Sequence, residues 1–328
     1  MSPEAPAAEL APVSETSAPP RRHVALPLLL FILTCLSTFW VGSVAWRPVG
    51  HLGPLYHSVL SFVENLSQGS PWAAMQESLA VADMDCRQGL LYMAAVLGIL
   101  LSHEMGHFLM ASRHRIPASL PYFIPVPILP FGTLGAVIGM EGFRANRREL
   151  FDLGVAGPLA GLIVALPITW LGIRMLPTAP MAGNGLCFHN PLLLQSMIAW
   201  LQPAYPTPNV LYLNQLNPFL MAGWMGMLVT GLNLLPISQL DGGHVAHALL
   251  GDHAKYLARG LLLAGIAFIL VTEQYGWTIM LVLVTLLGAD HPPTADDRCP
   301  LGLFRRAIGW ASLLIPILCF PSMGITPT

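Results

Sequence analysis

The stretch LLSHEMGHFLMASRHR, residues 100–115, sets three histidines and a glutamate at the end of one of the most apolar runs in the chain. Ionisable side chains are costly in such company unless they pair or share a metal ion. His103, Glu104, Met105, Gly106 and His107 form an H-E-x-x-H. On a helix, residues four apart lie on one face. Both imidazoles then reach one ion while Glu104 leans over the same side, which is the arrangement of a hydrolytic metal with its general base. In a chain with 11 histidines, the motif arises by chance in about 1% of cases, so it is informative. His114 is followed by Arg115, lies beyond the apolar run and reads as a solvated boundary residue.

Composition explains the surroundings. The 328 residues are 54% hydrophobic and only 10% charged, against roughly 25% charged in soluble proteins. Apolar runs occupy 24–46, 89–112, 150–176, 217–236, 257–275, 277–288 and 303–320, and a spanning helix takes about 20 residues. The sixth run is short and either spans or joins the fifth as a hairpin. The reading is an all-α polytopic membrane protein with six to seven transmembrane helices. If the N-terminus is cytoplasmic and seven spans alternate, only Arg47, Arg87 and Arg174 of the 15 lysines and arginines lie outside, leaving twelve inside. That is the expected positive-inside bias.

The net charge of -2 gives no sign of a nucleic-acid partner. Residues 1–22, rich in Ala, Pro, Ser and Glu, read as a disordered cytoplasmic tail. Residues 23–88 then hold an anchor helix and an extracytoplasmic loop. The run 24–46 exceeds the ~7–15 residues of a signal-peptide core, which favours a retained anchor. The five cysteines have no framework spacing; Cys86 and Cys187 share the outer side and either pair or stay free.

Two imidazoles leave a zinc site incomplete, because a catalytic site has three protein ligands and an open position. The candidate third ligand is in GLNLLPISQLDGGHVAHALLG, residues 231–251. Asp241 follows a run that travels from outside to inside, as does the run bearing H-E-x-x-H, so both motifs arrive at one depth near the cytoplasmic face. Pro236 ends the helix, and Gly242 and Gly243 read as a flexible turn. Irregular backbone at membrane depth belongs inside protein or beside a cavity. His244 and His247 are rival ligands on the following helix. Asn233 either holds substrate and the developing oxyanion or makes an interhelical hydrogen bond.

Between the motifs lies IPASLPYFIPVPILPFGTLGAVIGMEGFRANRREL, residues 116–150. Pro117, Pro121, Pro125, Pro127 and Pro130 forbid a helix, so the segment reads as a short re-entrant β-hairpin near the site, its strand in TLGAVIGM, residues 133–140. Such a strand, through Gly135, Ala136 and Val137, offers an edge to an unwound substrate backbone; the alternative is a packing hairpin without substrate contact. Arg144, Arg147 and Arg148 then face cytoplasm or anionic head groups. Gly154, Gly157 and Gly161 recur at helical spacing and allow close helix approach. Asp152 reads as a first-turn acid favoured by the helix dipole.

Taken together, HEMGH, NLLPISQLDGG and FDLGVAGPLAG (residues 151–161) resemble the site-2 proteases, the intramembrane zinc metalloproteases, over roughly residues 89–251. The resemblance implies one Zn2+ per chain held by His103, His107 and Asp241, with Glu104 as catalytic base and Asn233 in substrate binding. It implies a three-helix core within a catalytic unit 89–251, with the active site near the cytoplasmic face; the apolar runs beyond it read as C-terminal transmembrane helices in 252–328. Its implied substrates are single-span membrane proteins within the lipid bilayer, cut after an earlier trimming step. No inter-span stretch is long enough for a regulatory PDZ module. The rival function is a membrane zinc transporter or sensor without hydrolysis, which needs ligands but no base; a catalytically dead relative is a third. Oligomeric state is not legible.

Overall fold

A computed structural model describes residues 24–47, 84–140, 145–177, 186–286, 295–296, 298–321 and 323–327. The N-terminal tail and most of the first outer loop lie outside the described residues. The described residues are mostly helical, with two small sheets among them. Among the described residues, five stretches are helical and apolar for long enough to cross a membrane: Ala25–Ser43, Cys86–Arg113, Arg147–Arg174, Asp241–Thr272 and Gly302–Cys319.

The first three are single helices, α1 (Ala25–Ser43), α2 (Cys86–Arg113) and α3 (Arg147–Arg174). Their ends are written in the sequence. Asp85 caps α2 by accepting from the Gln88 N–H at 3.0 Å, and Asn146 and Glu149 form a reciprocal capping box on α3. The run 217–236 forms α5 (Pro218–Asn233), only 16 residues long. It is apolar on all sides because it is enclosed, with Leu220, Met221, Trp224 and Met227 buried. Asn217 caps it and also donates to the Gly172 carbonyl at 2.8 Å, which ties its start to the end of α3.

The fourth long stretch is broken. It comprises α6 (Asp241–Leu250), a 3-10 turn opening at Gly251 with φ +59°, and α7 (Ala254–Thr272). Run 277–288 gives the nine-residue α8 (Thr278–Leu286). The last stretch divides into α9 (Gly302–Ser312) and α10 (Ile315–Cys319).

The proline-rich segment forms an antiparallel hairpin, β1 (Tyr122–Val126) with β2 (Gly132–Val137), pairing Phe123 with Ala136 and Pro125 with Thr133 across a bulge. Proline donates nothing to a ladder, and the bulge is where a strand tolerates it. Ser37 on α1 donates its hydroxyl to the Gly132 carbonyl, and Tyr92 on α2 donates to Phe131 at 2.9 Å. The hairpin is therefore pinned at its turn by two helices.

Close to the hairpin turn, where Phe131 and Phe188 both pack on the Trp224 ring, residues 186–215 are structured. They contribute β3 (Leu186–His189), the helix α4 (Leu192–Leu201) and β4 (Val210–Tyr212). The sheet runs β4-β3-β5, closed by β5 (Ile325–Pro327) from the far end of the chain. Among the described residues, all five cysteines are free. Two of the arginines expected to face cytoplasm or anionic head groups also bond to other elements. Arg147 donates to the carbonyls of Ala248 and Leu249 at the end of α6, and Arg148 to Pro300. The last carbonyls of a helix attract cations, so these arginines clamp elements together. Arg144 lies outside the described residues.

Candidate metal centre

His103, Glu104 and His107 are buried on one face of α2. His107 Nδ1 lies 3.0 Å from the Leu153 carbonyl on α3. A carbonyl only accepts, so this bond requires the proton on Nδ1 and leaves the Nε2 lone pair facing the site. The close approach of α3 depends on its small residues. A Cβ on Gly157 would collide with the His107 ring, and one on Gly161 would lie 3.1 Å from His103 Cβ.

Asp241 opens α6, where the helix dipole favours a carboxylate. Gly242 and Gly243 are helical, not a flexible turn. A Cβ on either would strike the carbonyls of Leu234 or Ser238, so glycine there lets the 234–240 turn fold tightly against the helix start. This turn returns the chain to α2: Asp241 Oδ2 lies 3.3 Å from His103 Nε2 and 3.3 Å from His107 Nε2. The two Nε2 atoms are 3.2 Å apart. A tetrahedral zinc with bonds of about 2.0–2.1 Å holds its ligand atoms about 3.3 Å apart. The near-equilateral triangle therefore fits that ion, and two imidazoles plus one carboxylate form a suitable donor set. Asn233, at the end of α5, sets its Nδ2 3.2 Å from His103 Nε2.

These residues open onto a cavity of about 430 Å³. One wall is polar, with Asn233, Gln239, Asp241 and His244; the other is apolar, with Ala136, Val137, Ile138 and Met140 from β2 and its continuation.

Residues 91–272 match the family model described as Peptidase family M50. The chain belongs to this family, and it is an integral membrane protein. It is 28% identical over 306 residues to "Probable zinc metalloprotease EGY1, chloroplastic" of Arabidopsis thaliana, covering 89% of this chain and 52% of that protein. It is 32% identical over 244 residues to "Probable zinc metalloprotease EGY2, chloroplastic" of Oryza sativa subsp. indica, covering 71% of this chain and 42% of that one. The chain thus spans about half the length, or less, of these curated relatives. No solved structure matches it significantly.

Not every residue singled out from sequence reaches the site of this M50 chain. Ala136 and Val137 line the cavity, whereas Gly135 does not; its N–H donates to Thr133 Oγ1 at 3.1 Å within the hairpin. His244 is on the cavity wall but outside the three-residue cluster, and His247 faces a separate cavity. Gln239 was missed: an uncharged amide inside PISQLD carries no spacing signal. His114 is not a solvated boundary residue. Its Nε2 lies 3.1 Å from Asp152 Oδ2, and Arg305 on α9 makes a two-pronged contact to the same carboxylate at 2.8 and 3.0 Å. Asp152 therefore does more than answer its helix dipole; it joins α2, α3 and α9 beside Leu153.

Proposed function

We propose that this chain is a zinc-dependent intramembrane endopeptidase, cutting within or near transmembrane segments of membrane-anchored proteins. The single observation that carries the reading is the triangle of His103, His107 and Asp241 donor atoms, 3.2–3.3 Å on each side, with Glu104 buried beside it on the same cavity. The names of the curated relatives agree with it.

His103, His107 and Asp241 would hold the zinc, which supplies a Lewis acid that polarises the scissile carbonyl and lowers the pKa of water. Glu104 accepts the proton of the attacking water and passes it to the leaving amine. The Leu153 carbonyl holds His107 in the tautomer whose Nε2 is a ligand. Asn233 donates its amide to the oxygen that gains charge during attack. The edge of β2 away from β1, at Ala136 and Val137, pairs with no other strand among the described residues and takes up N–H and C=O groups freed when a substrate helix unwinds. Apolar neighbours such as Met140, Leu150 and Leu153 accept the adjoining side chains.

In this reading six or seven segments cross the bilayer, and the hairpin re-enters it. The N-terminus and active site lie on the cytoplasmic side, and the substrates are single-span proteins. Support for the orientation comes from basic residues gathered at the end of α2 and α3 nearest Asp152, through Arg305, Arg147 and Arg148. A transporter would want polar groups in series through both leaflets; here they converge at one depth.

The test is Glu104→Gln in the full chain, reconstituted with a single-span model substrate. The variant is expected to keep its zinc and fold while losing cleavage. Cleavage at near wild-type rate would refute the mechanism.

A further inference from the structure

Between α6 and α7, on the face of α6 that carries Gly243 and His247, lies a second cavity of about 240 Å³. Lys255 and Arg259, one turn apart on α7, line it together with His247 of α6; Asp252 is the acid on its wall, and Ser238 and Gly243 close its floor. Residues four apart on a helix face the same way, so both fixed cations share one opening. The placement runs against the helix dipole, which favours negative charge in the first turns and disfavours Lys and Arg there. α7 has no acid in its first turn and no side-chain cap. An anion seated in the cavity lies between both cations at the start of α7.

The position narrows the chemistry. α7 is a candidate membrane-spanning helix, and Leu263, Leu270 and Val271 further along it are exposed apolar side chains. The cavity thus lies at the polar end of a lipid-facing helix, beside an exposed Tyr256 whose ring sits 5.4 Å from Lys255 Nζ. Basic pockets between membrane helices are suited to phosphate head groups, and the volume fits a phosphate ester rather than a drug-sized ligand.

We propose that this cavity binds an anionic phosphate group, with His247, Lys255 and Arg259 as its contacts. Ser238 and Gly243 belong to the turn and helix that present Asp241, so occupancy braces the metal-bearing segment from behind. The proposal does not depend on the peptidase reading.

Lys255 is the only lysine in the chain, which permits a test on the unaltered protein. The full chain in neutral detergent is acetylated with a soluble reagent, and modification of Lys255 is followed by mass spectrometry. Dihexanoyl phosphatidylglycerol, dihexanoyl phosphatidylcholine and inorganic phosphate are compared as protectants. Phosphatidylglycerol is expected to slow acetylation at least fivefold and phosphatidylcholine to leave it unchanged, with Arg259→Gln losing most of the protection. If inorganic phosphate alone protects equally at the same concentration, the occupant is a free phosphate; if it does not, it is a lipid head group. Equal rates with both lipids would overturn the proposal. So would undiminished protection in Arg259→Gln, which signals general surface attraction without a built site.

Discussion

α2 and α7 are both long and apolar, yet the protein uses them differently. Half of the apolar window of α2 is buried, against 17% in the Asp241–Thr272 stretch that contains α7. α2 is held along its length: Gly106 and His107 press on α3, and Tyr92 bonds the hairpin. α7 points large apolar side chains outward, and a Cβ on its Gly260 would meet nothing within 4 Å. The difference teaches where precision is needed. The paired imidazoles and Glu104 sit on the helix whose neighbours are close enough to hold them in register.

Substitutions can break this contrast at several strengths. The largest effect belongs to Glu104→Gln, for which cleavage of a reconstituted substrate is expected to fall by about 10²–10⁴ or more, the range of general acid–base contributions. Asn233→Ala follows, with a kcat loss of about 10²–10³ typical of a lost oxyanion donor and little change in bound metal; single-turnover assays read it. Gly157→Ala puts a methyl group into the His107 ring and is expected to destabilise by about 1–3 kcal/mol, as overpacking does, with weaker zinc retention against a chelator. Arg305→Gln removes a partly exposed partner of Asp152 and is expected to lower thermal stability by about 1 kcal/mol or less. The sharpest control is Gly260→Ala in α7. The same chemical change that harms α3 is there expected to be neutral or to stabilise by about 0.5–1 kcal/mol, through helix propensity. Equal losses at Gly157 and Gly260 would erase the distinction between the two helices.

Much of the candidate metal cluster is legible in the sequence because its signals are local. The four-residue spacing of His103 and His107 is a helix face, and the count of apolar runs brings the candidate Asp241 to the same depth. The prolines of 117–130 were enough to exclude a helix and leave a hairpin. Other features were hidden for physical reasons. β5 pairs with β3 across well over a hundred residues, and no periodicity announces so distant a partner. His114 reads as solvated beside Arg115, since Asp152 meets it, and Arg305 meets Asp152, only after three helices have packed. Gly242 and Gly243 suggested flexibility, although their real use is steric, making room for backbone carbonyls that only the folded turn supplies.

The central claim is that two imidazoles and one remote carboxylate share a single ion. Elemental analysis of the purified chain tests it directly. One zinc per chain is expected in the wild type and in Glu104→Gln, with essentially none in Asp241→Ala that remains folded by circular dichroism. Full zinc occupancy in Asp241→Ala, or a metal-free wild type prepared without chelator, would contradict it.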